Sequence, residues 1–199
     1  MSRRAVIDVS DLPNVALGSE ATIWWGNMLL FAIEGSMFAM VVATYFYLRY
    51  QVTVWPPPGA DRPGILWPTL TAVLLIAACA AALWIDLAAK RRDRLPLLPG
   101  AAGAILLGLF ALIARWRDFA SLDFKWSEHA YGSIVWIALG LHTSHLIACT
   151  LETVVMAALL VIGPFREKHF IDVRTTASYW YFIILTWLPL YMIFTLAPR

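Results

Sequence analysis

Four ionisable side chains stand inside long apolar stretches of this chain: Glu34, His142, His145 and Glu152. A charge at the centre of a bilayer costs about 2.5 to 3.5 kcal/mol on insertion scales, so each of them calls for a reason. At about 100° per residue, positions 142, 145, 149 and 152 fall on one helical stripe, so the two histidines, Cys149 and Glu152 are expected on a shared face buried in protein. Three chemistries fit these residue types. His, Cys and Glu are competent metal ligands. The spacing opposes that use, because a bundle-type di-iron centre needs Glu-x-x-His and a zinc protease needs His-Glu-x-x-His, and neither string occurs. No metal is therefore assigned. Interhelical hydrogen bonding, with His142 or His145 meeting Glu34 at about 0.6 to 2 kcal/mol per contact, is a structural use. A proton relay uses the same groups as carriers, and these two readings stay open.

Other chemistry is absent from the pattern. Ser36, Ser133 and Ser144 have no nucleophile motif around them, and no glycine-rich loop suits a phosphate. His129 and His169 fall in expected loops and read as solvated. Asp86 precedes Lys90 by four residues, which predicts an ordinary helical ion pair. Cys79 and Cys149 lie in apolar runs without CxxC spacing and read as packing residues. A net charge of +2 is too small for a nucleic-acid partner.

The elements that must carry these residues follow from composition. Of 199 residues, 61% are apolar and 14% charged, against about 45 to 50% and about 25% in water-soluble domains. The expected fold is all-α: a polytopic bundle of five transmembrane helices over about 23–48, 66–89, 97–114, 130–162 and 175–197. These form one domain, 23–199, behind an N-terminal arm, 1–22. A helix rising about 1.5 Å per residue needs roughly 20 residues to cross about 30 Å of hydrocarbon. The arm lacks the short apolar core of a cleavable signal, so the first hydrophobic segment is expected to stay in the membrane. Pro68 and Pro99 mark helix starts, Trp55 to Gly59 closes the first loop, Pro164 ends the fourth helix and Pro189 should loosen the fifth. Trp24, Trp25, Trp55, Trp67, Trp116 and Trp126 read as interface anchors. Nine Lys and Arg fall on the N-terminal face and six on the other. The expected orientation is therefore N-terminus cytoplasmic and C-terminus outside.

The run Tyr131-Gly132-Ser133, followed by Gly140-Leu141-His142-Thr143-Ser144-His145, resembles the penultimate helix of subunit III of the haem-copper oxidases, where Tyr-Gly-Ser leads to Gly-x-His-x-x-His. Tyr179-Trp180-Tyr181-Phe182 through Trp187 is similar to that family's last helix. Trp24-Trp25-Gly26 with Glu34 before Phe38 resembles its Glu-bearing helix. Arg115-Trp116-Arg117-Asp118-Phe119 stands where the family usually has Gln-x-x-Glu-aromatic. The resemblance covers nearly the whole chain, in the five-helix form that lacks the first two helices of the seven-helix version. Three positions depart from it. Tyr181 replaces a histidine, Ile184 an aspartate, and Thr143 the glycine after the first histidine. Glu152 is a candidate replacement for the lost carboxylate.

This resemblance implies a non-catalytic subunit of a respiratory terminal oxidase, multi-pass in a bacterial inner membrane. Such a subunit packs against subunit I, with subunit II and small subunits in the same complex, binds lipid and supports proton uptake while oxygen is reduced to water. Haem and copper are expected in the partner subunits, and bound phospholipid in this one. Glu34, His142, His145 and Glu152 are the expected buried polar core. Trp25, Gly26, Tyr131, Gly132, Ser133, Gly140, Tyr179, Trp180 and Trp187 are expected structural motif residues. An accessory subunit of a nitric oxide reductase or quinol oxidase is an alternative, as is a small proton or ion transporter. Against a transporter, no inverted repeat or broken-helix pair is visible.

Overall fold

A computed structural model of the chain describes residues 21–61 and 63–196. Nearly all of the N-terminal arm, with Arg3 and Arg4, lies outside the described residues, as do Arg62 and Arg199. Five helices follow one another: α1 Thr22–Tyr50, α2 Leu66–Lys90, α3 Leu97–Ala120, α4 Ala130–Ile162 and α5 His169–Tyr191, the last running into a π-helical turn, Met192–Leu196. All five are long and apolar enough to span a membrane, and no strand occurs among the described residues.

Two helices run beyond their apolar stretches. α3 continues six residues past Ala114, because Arg115 and Asp118, one turn apart, pair inside the bundle, although Arg115 Nε and Asp118 Oδ1 have no hydrogen-bond partner among the described residues. α5 starts six residues before Thr175. Phe170 and Val173 are buried there, and Asp172 in the first turn complements the helix dipole. Pro189 lacks the N–H that would close its turn, and the helix widens to π geometry three residues later.

The tightest packing joins α2, α3 and α5, where small residues bring backbones close. Ala78 and Ala82 on α2 and Ala101 and Ala104 on α3 are all without exposure, and Gly100 and Gly103 of α3 come against Ile85 and Ala81 of α2. Gly108 is required: a Cβ there would stand 2.7 Å from Thr150 Oγ1 and 2.8 Å from Trp180 Cη2. α1 is different. It leans mainly on α4 and α5 and buries only Phe38, Val41 and Tyr45 in 29 residues.

The loop before α4 is built rather than solvated. His129 is the N-cap of α4, and its Nδ1 accepts from the Gly132 amide at 2.7 Å. Gly132 is held to glycine by the Lys125 carbonyl oxygen, 2.6 Å from where a Cβ would sit. Ser133 Oγ donates to the Trp126 carbonyl at 2.7 Å, and Tyr131 packs edge-on against Trp55 at 5.2 Å. Trp55 thus pins the first loop to the bundle rather than serving only as an interface anchor. His169, the first residue of α5, reaches backwards instead, its Nδ1 accepting from the Arg166 amide at 2.8 Å outside the helix. Both histidines accept a backbone amide at a helix start; His129 lies in the loop as expected, whereas His169 belongs to α5, which corrects its reading as a loop residue.

Candidate functional site

The polar residues inside the bundle form two clusters. The buried face of α4 follows 142, 146, 149, 153 and 156. His145 and Glu152 flank that face, and Glu152 is exposed rather than part of a buried core. The expected stripe is therefore split: His142 and Cys149 are fully covered, whereas His145 and Glu152 border α1 and α5.

The first cluster joins α3, α4 and α5. Arg115, Asp118 and His142 all have zero exposure. Arg115 Nη1 donates to Asp118 Oδ2 at 2.7 Å, and Nη2 lies 3.5 Å from His142 Nδ1. The guanidinium rests 3.8 Å from the Trp187 ring centroid, a cation–π contact that gains in a dry site. A guanidinium can only donate, so His142 Nδ1 accepts; a carbonyl can only accept, so His142 Nε2–H donates to Ile183 O at 3.0 Å. Both demands select one neutral tautomer. His142 is a latch between three helices, not a partner of Glu34.

The second cluster joins α1, α4 and α5 near mid-span. His145 Nδ1 lies 2.7 Å from the Leu141 carbonyl, so that nitrogen carries a proton. Its Nε2 then faces Glu34 Oε2 at 3.8 Å. At that distance no hydrogen bond closes, and Glu34 Oε2 is buried without a hydrogen-bond partner among the described residues. Tyr179 Oη donates to Glu34 Oε1 at a long 3.5 Å. Phe38 covers His145 at 5.1 Å, edge to face. One helix turn beyond Cys149, Glu152 Oε1 accepts from Thr176 Oγ1 at 2.8 Å. Thr176 lies eight residues before Ile184, about 12 Å along α5 at about 1.5 Å per residue. Glu152 thus does not refill the place of the family's aspartate.

The remaining motif residues have plain roles. Trp180 Nε1 donates to Thr153 Oγ1 at 3.1 Å inside the core. Trp25, 57% exposed, packs edge-on with Trp24. A Cβ on Gly26 or Gly140 would meet nothing within 4 Å. Asp86 pairs with Lys90 at 2.6 Å, and also with Arg174 at 3.0 Å. Among the described residues no three His, Cys, Asp or Glu side chains converge as a metal set. The pair that sequence reading missed is Arg115 with Asp118. The signal was present, since 101, 104, 108, 111, 115 and 118 continue one three-four stripe of α3 whose earlier members are small and buried.

A family model for cytochrome c oxidase subunit III matches residues 14–197. The chain belongs to the cytochrome c oxidase subunit III family. Among similar proteins, cytochrome c oxidase subunit 3 of Locusta migratoria is 25% identical over 175 residues, covering 84% of this chain and 66% of its own length. The wheat protein of that name, from Triticum aestivum, is 28% identical over 180 residues, with 84% and 66% covered. That of Pongo abelii is 29% identical over 174 residues, with 84% and 67% covered. The chain thus spans about two thirds of the length of these curated relatives. For a subunit III family member the five apolar helices mean a multi-pass membrane protein. The midspan Glu34 and His145 lie on the two helices whose motifs carry the family likeness.

Proposed function

We propose that this subunit III family member is a non-catalytic subunit of a respiratory terminal oxidase, seated in a bacterial inner membrane with its N-terminus in the cytoplasm. It packs against a catalytic subunit I that carries haem and copper, beside subunit II and small subunits. There it holds phospholipid against its helices and supports proton uptake during reduction of oxygen to water. The family match over residues 14–197 carries this reading. The approach of His145 to Glu34 at 3.8 Å near mid-span supports the proton-linked part, because ionisable groups inside membrane spans mark proton paths. The loosely packed α1 supports the lipid part, since its uncovered apolar surface needs a cover. Burial of Arg115 removes one basic residue from the far face, so the topology balance becomes nine against five and favours the cytoplasmic N-terminus more strongly.

The test is to solubilise membranes in mild detergent, capture the chain by an affinity tag and record the optical spectrum of what is retained. A haem- and copper-containing partner that consumes oxygen is the expected result. A partner that reduces only nitric oxide, or capture of the chain alone with proton flux of its own in liposomes, would overturn it.

A further inference from the structure

Between α3 and α4 lies a groove of about 690 Å³, in the half of the bundle where α3 ends and α4 begins. Along α3 it runs from Leu112 to Ala120, about 12 Å at about 1.5 Å per residue. Leu112 and Ile147 wall one end, and Trp116, Phe119 and Trp136 the other. Arg115 and Thr143 lie between them. The Phe119 and Trp136 rings stand 5.1 Å apart, and Trp116 is 75% exposed. A volume of this class suits one small bound molecule. Three aromatic rings at one end favour a planar ring, which they can flank by stacking, over a flexible acyl chain.

Arg115 makes the groove selective. It lines the groove yet has zero exposure. Its Nη1 is taken by Asp118 and its Nη2 by His142, whereas Nε–H has no hydrogen-bond partner among the described residues. A buried donor left open calls for an acceptor. Arg115 and Asp118 already balance each other and His142 is neutral, so a charged group brought here would be buried without a counter-ion. The acceptor must therefore be neutral. A neighbouring helix cannot offer one from its backbone, whose carbonyls are spent within the helix. A ring bearing carbonyl groups meets every demand: it is planar, uncharged and an acceptor at its rim. Thr143 Oγ1 donates to the Leu139 carbonyl at 2.6 Å, so towards the groove its oxygen can only accept, which suits a hydroxyl of the reduced ring. We propose that the α3–α4 groove binds an isoprenoid quinone, its ring between Trp116 and Trp136, one carbonyl on Arg115 Nε–H and its tail leaving along Leu112 and Ile147. Such a site goes beyond the terminal-oxidase reading and does not depend on it.

The test uses the intact complex and a decyl-tailed azidobenzoquinone as photolabel, the labelled peptides being mapped by mass spectrometry. Label is expected on segments 112–120 and 136–147 of this chain, and excess decylubiquinone should remove it. Decylbenzene has ring and tail but no carbonyl, and should compete about tenfold less well or worse, the difference made by one hydrogen bond to a charged donor. Thr143→Leu fills the groove while leaving the Arg115–Asp118 pair in place, and should lower labelling about fivefold or more. Trp116→Leu should weaken competition by decylubiquinone about threefold, the worth of one stacked ring. Label elsewhere in the chain, or none in it because a partner's transmembrane segment fills the groove, overturns the proposal. So does equal competition by decylbenzene or by phosphatidylcholine, which would make the groove an apolar slot only, or labelling that survives Thr143→Leu. Should Thr143→Leu fail to assemble, unchanged competition in Trp116→Leu overturns it alone. A complex that labels in the groove but reduces only nitric oxide refutes the oxidase reading and leaves the quinone site standing.

Discussion

His142 and His145 are three residues apart on one helix, yet they live under different rules. His142 sits in a dry knot where a guanidinium on one side and a carbonyl on the other leave a single tautomer. His145 has a hydrogen-bond partner on one nitrogen only, and its other nitrogen stops 3.8 Å short of the Glu34 carboxyl. Partners on both sides turn an ionisable group into a fastener; a partner on one side leaves the other free to engage. Packing follows the same division. The fastener lies among α3, α4 and α5, at zero exposure, and the looser pair lies under α1, with side chains 11% and 17% exposed.

The comparison breaks most readily at the knot. Arg115→Ala or Asp118→Ala alone should cost about 3 to 5 kcal/mol, because each strands a buried charge, whereas Arg115→Met with Asp118→Leu should fall within about 1 kcal/mol of wild type or above it. Thermal unfolding in detergent reads this, and single variants as stable as wild type would dissolve the distinction. Next in size, Gly108→Ala should lose about 1 to 3 kcal/mol by overpacking against Thr150 and Trp180. Gly140→Ala, with open space around it, should stay within about 0.5 kcal/mol in the same assay. Glu34→Gln should cost at most about 1 kcal/mol of stability. It should nevertheless shorten the time over which the host complex sustains turnover, measured with an oxygen electrode; unchanged turnover would make the pair structural only. Smallest, Tyr179→Phe removes a 3.5 Å hydrogen bond and should cost about 0.5 kcal/mol or less.

Much of this was legible beforehand. Long apolar runs specify helices in a bilayer almost without ambiguity, so the five spans could be read from residue types, whereas of the expected α4 stripe only His142 and Cys149 lie on the covered face. The helix ends could not, because hydropathy stops at the first charge, whereas α3 runs on through Arg115 and Asp118, which pair inside the bundle. The partner of Glu34 was narrowed to two histidines and no further. The choice depends on Arg115, whose basic, aromatic surroundings imitate a membrane-interface loop. His129 was misread for a related reason: a cap is made by one nitrogen and one amide, and composition is blind to that geometry.

The thin seating of α1 has a consequence for how the chain holds together over time. α2 to α5 share a small-residue core that needs nothing from α1, so they form the unit that opens last. α1 forms a cooperative unit of lower opening free energy. Amide deuteration should therefore reach α1 first, and slow markedly once a partner subunit or a lipid covers it. Glu34 rides on that helix, so occupancy of the membrane face and the approach of Glu34 to His145 are linked through one docking equilibrium.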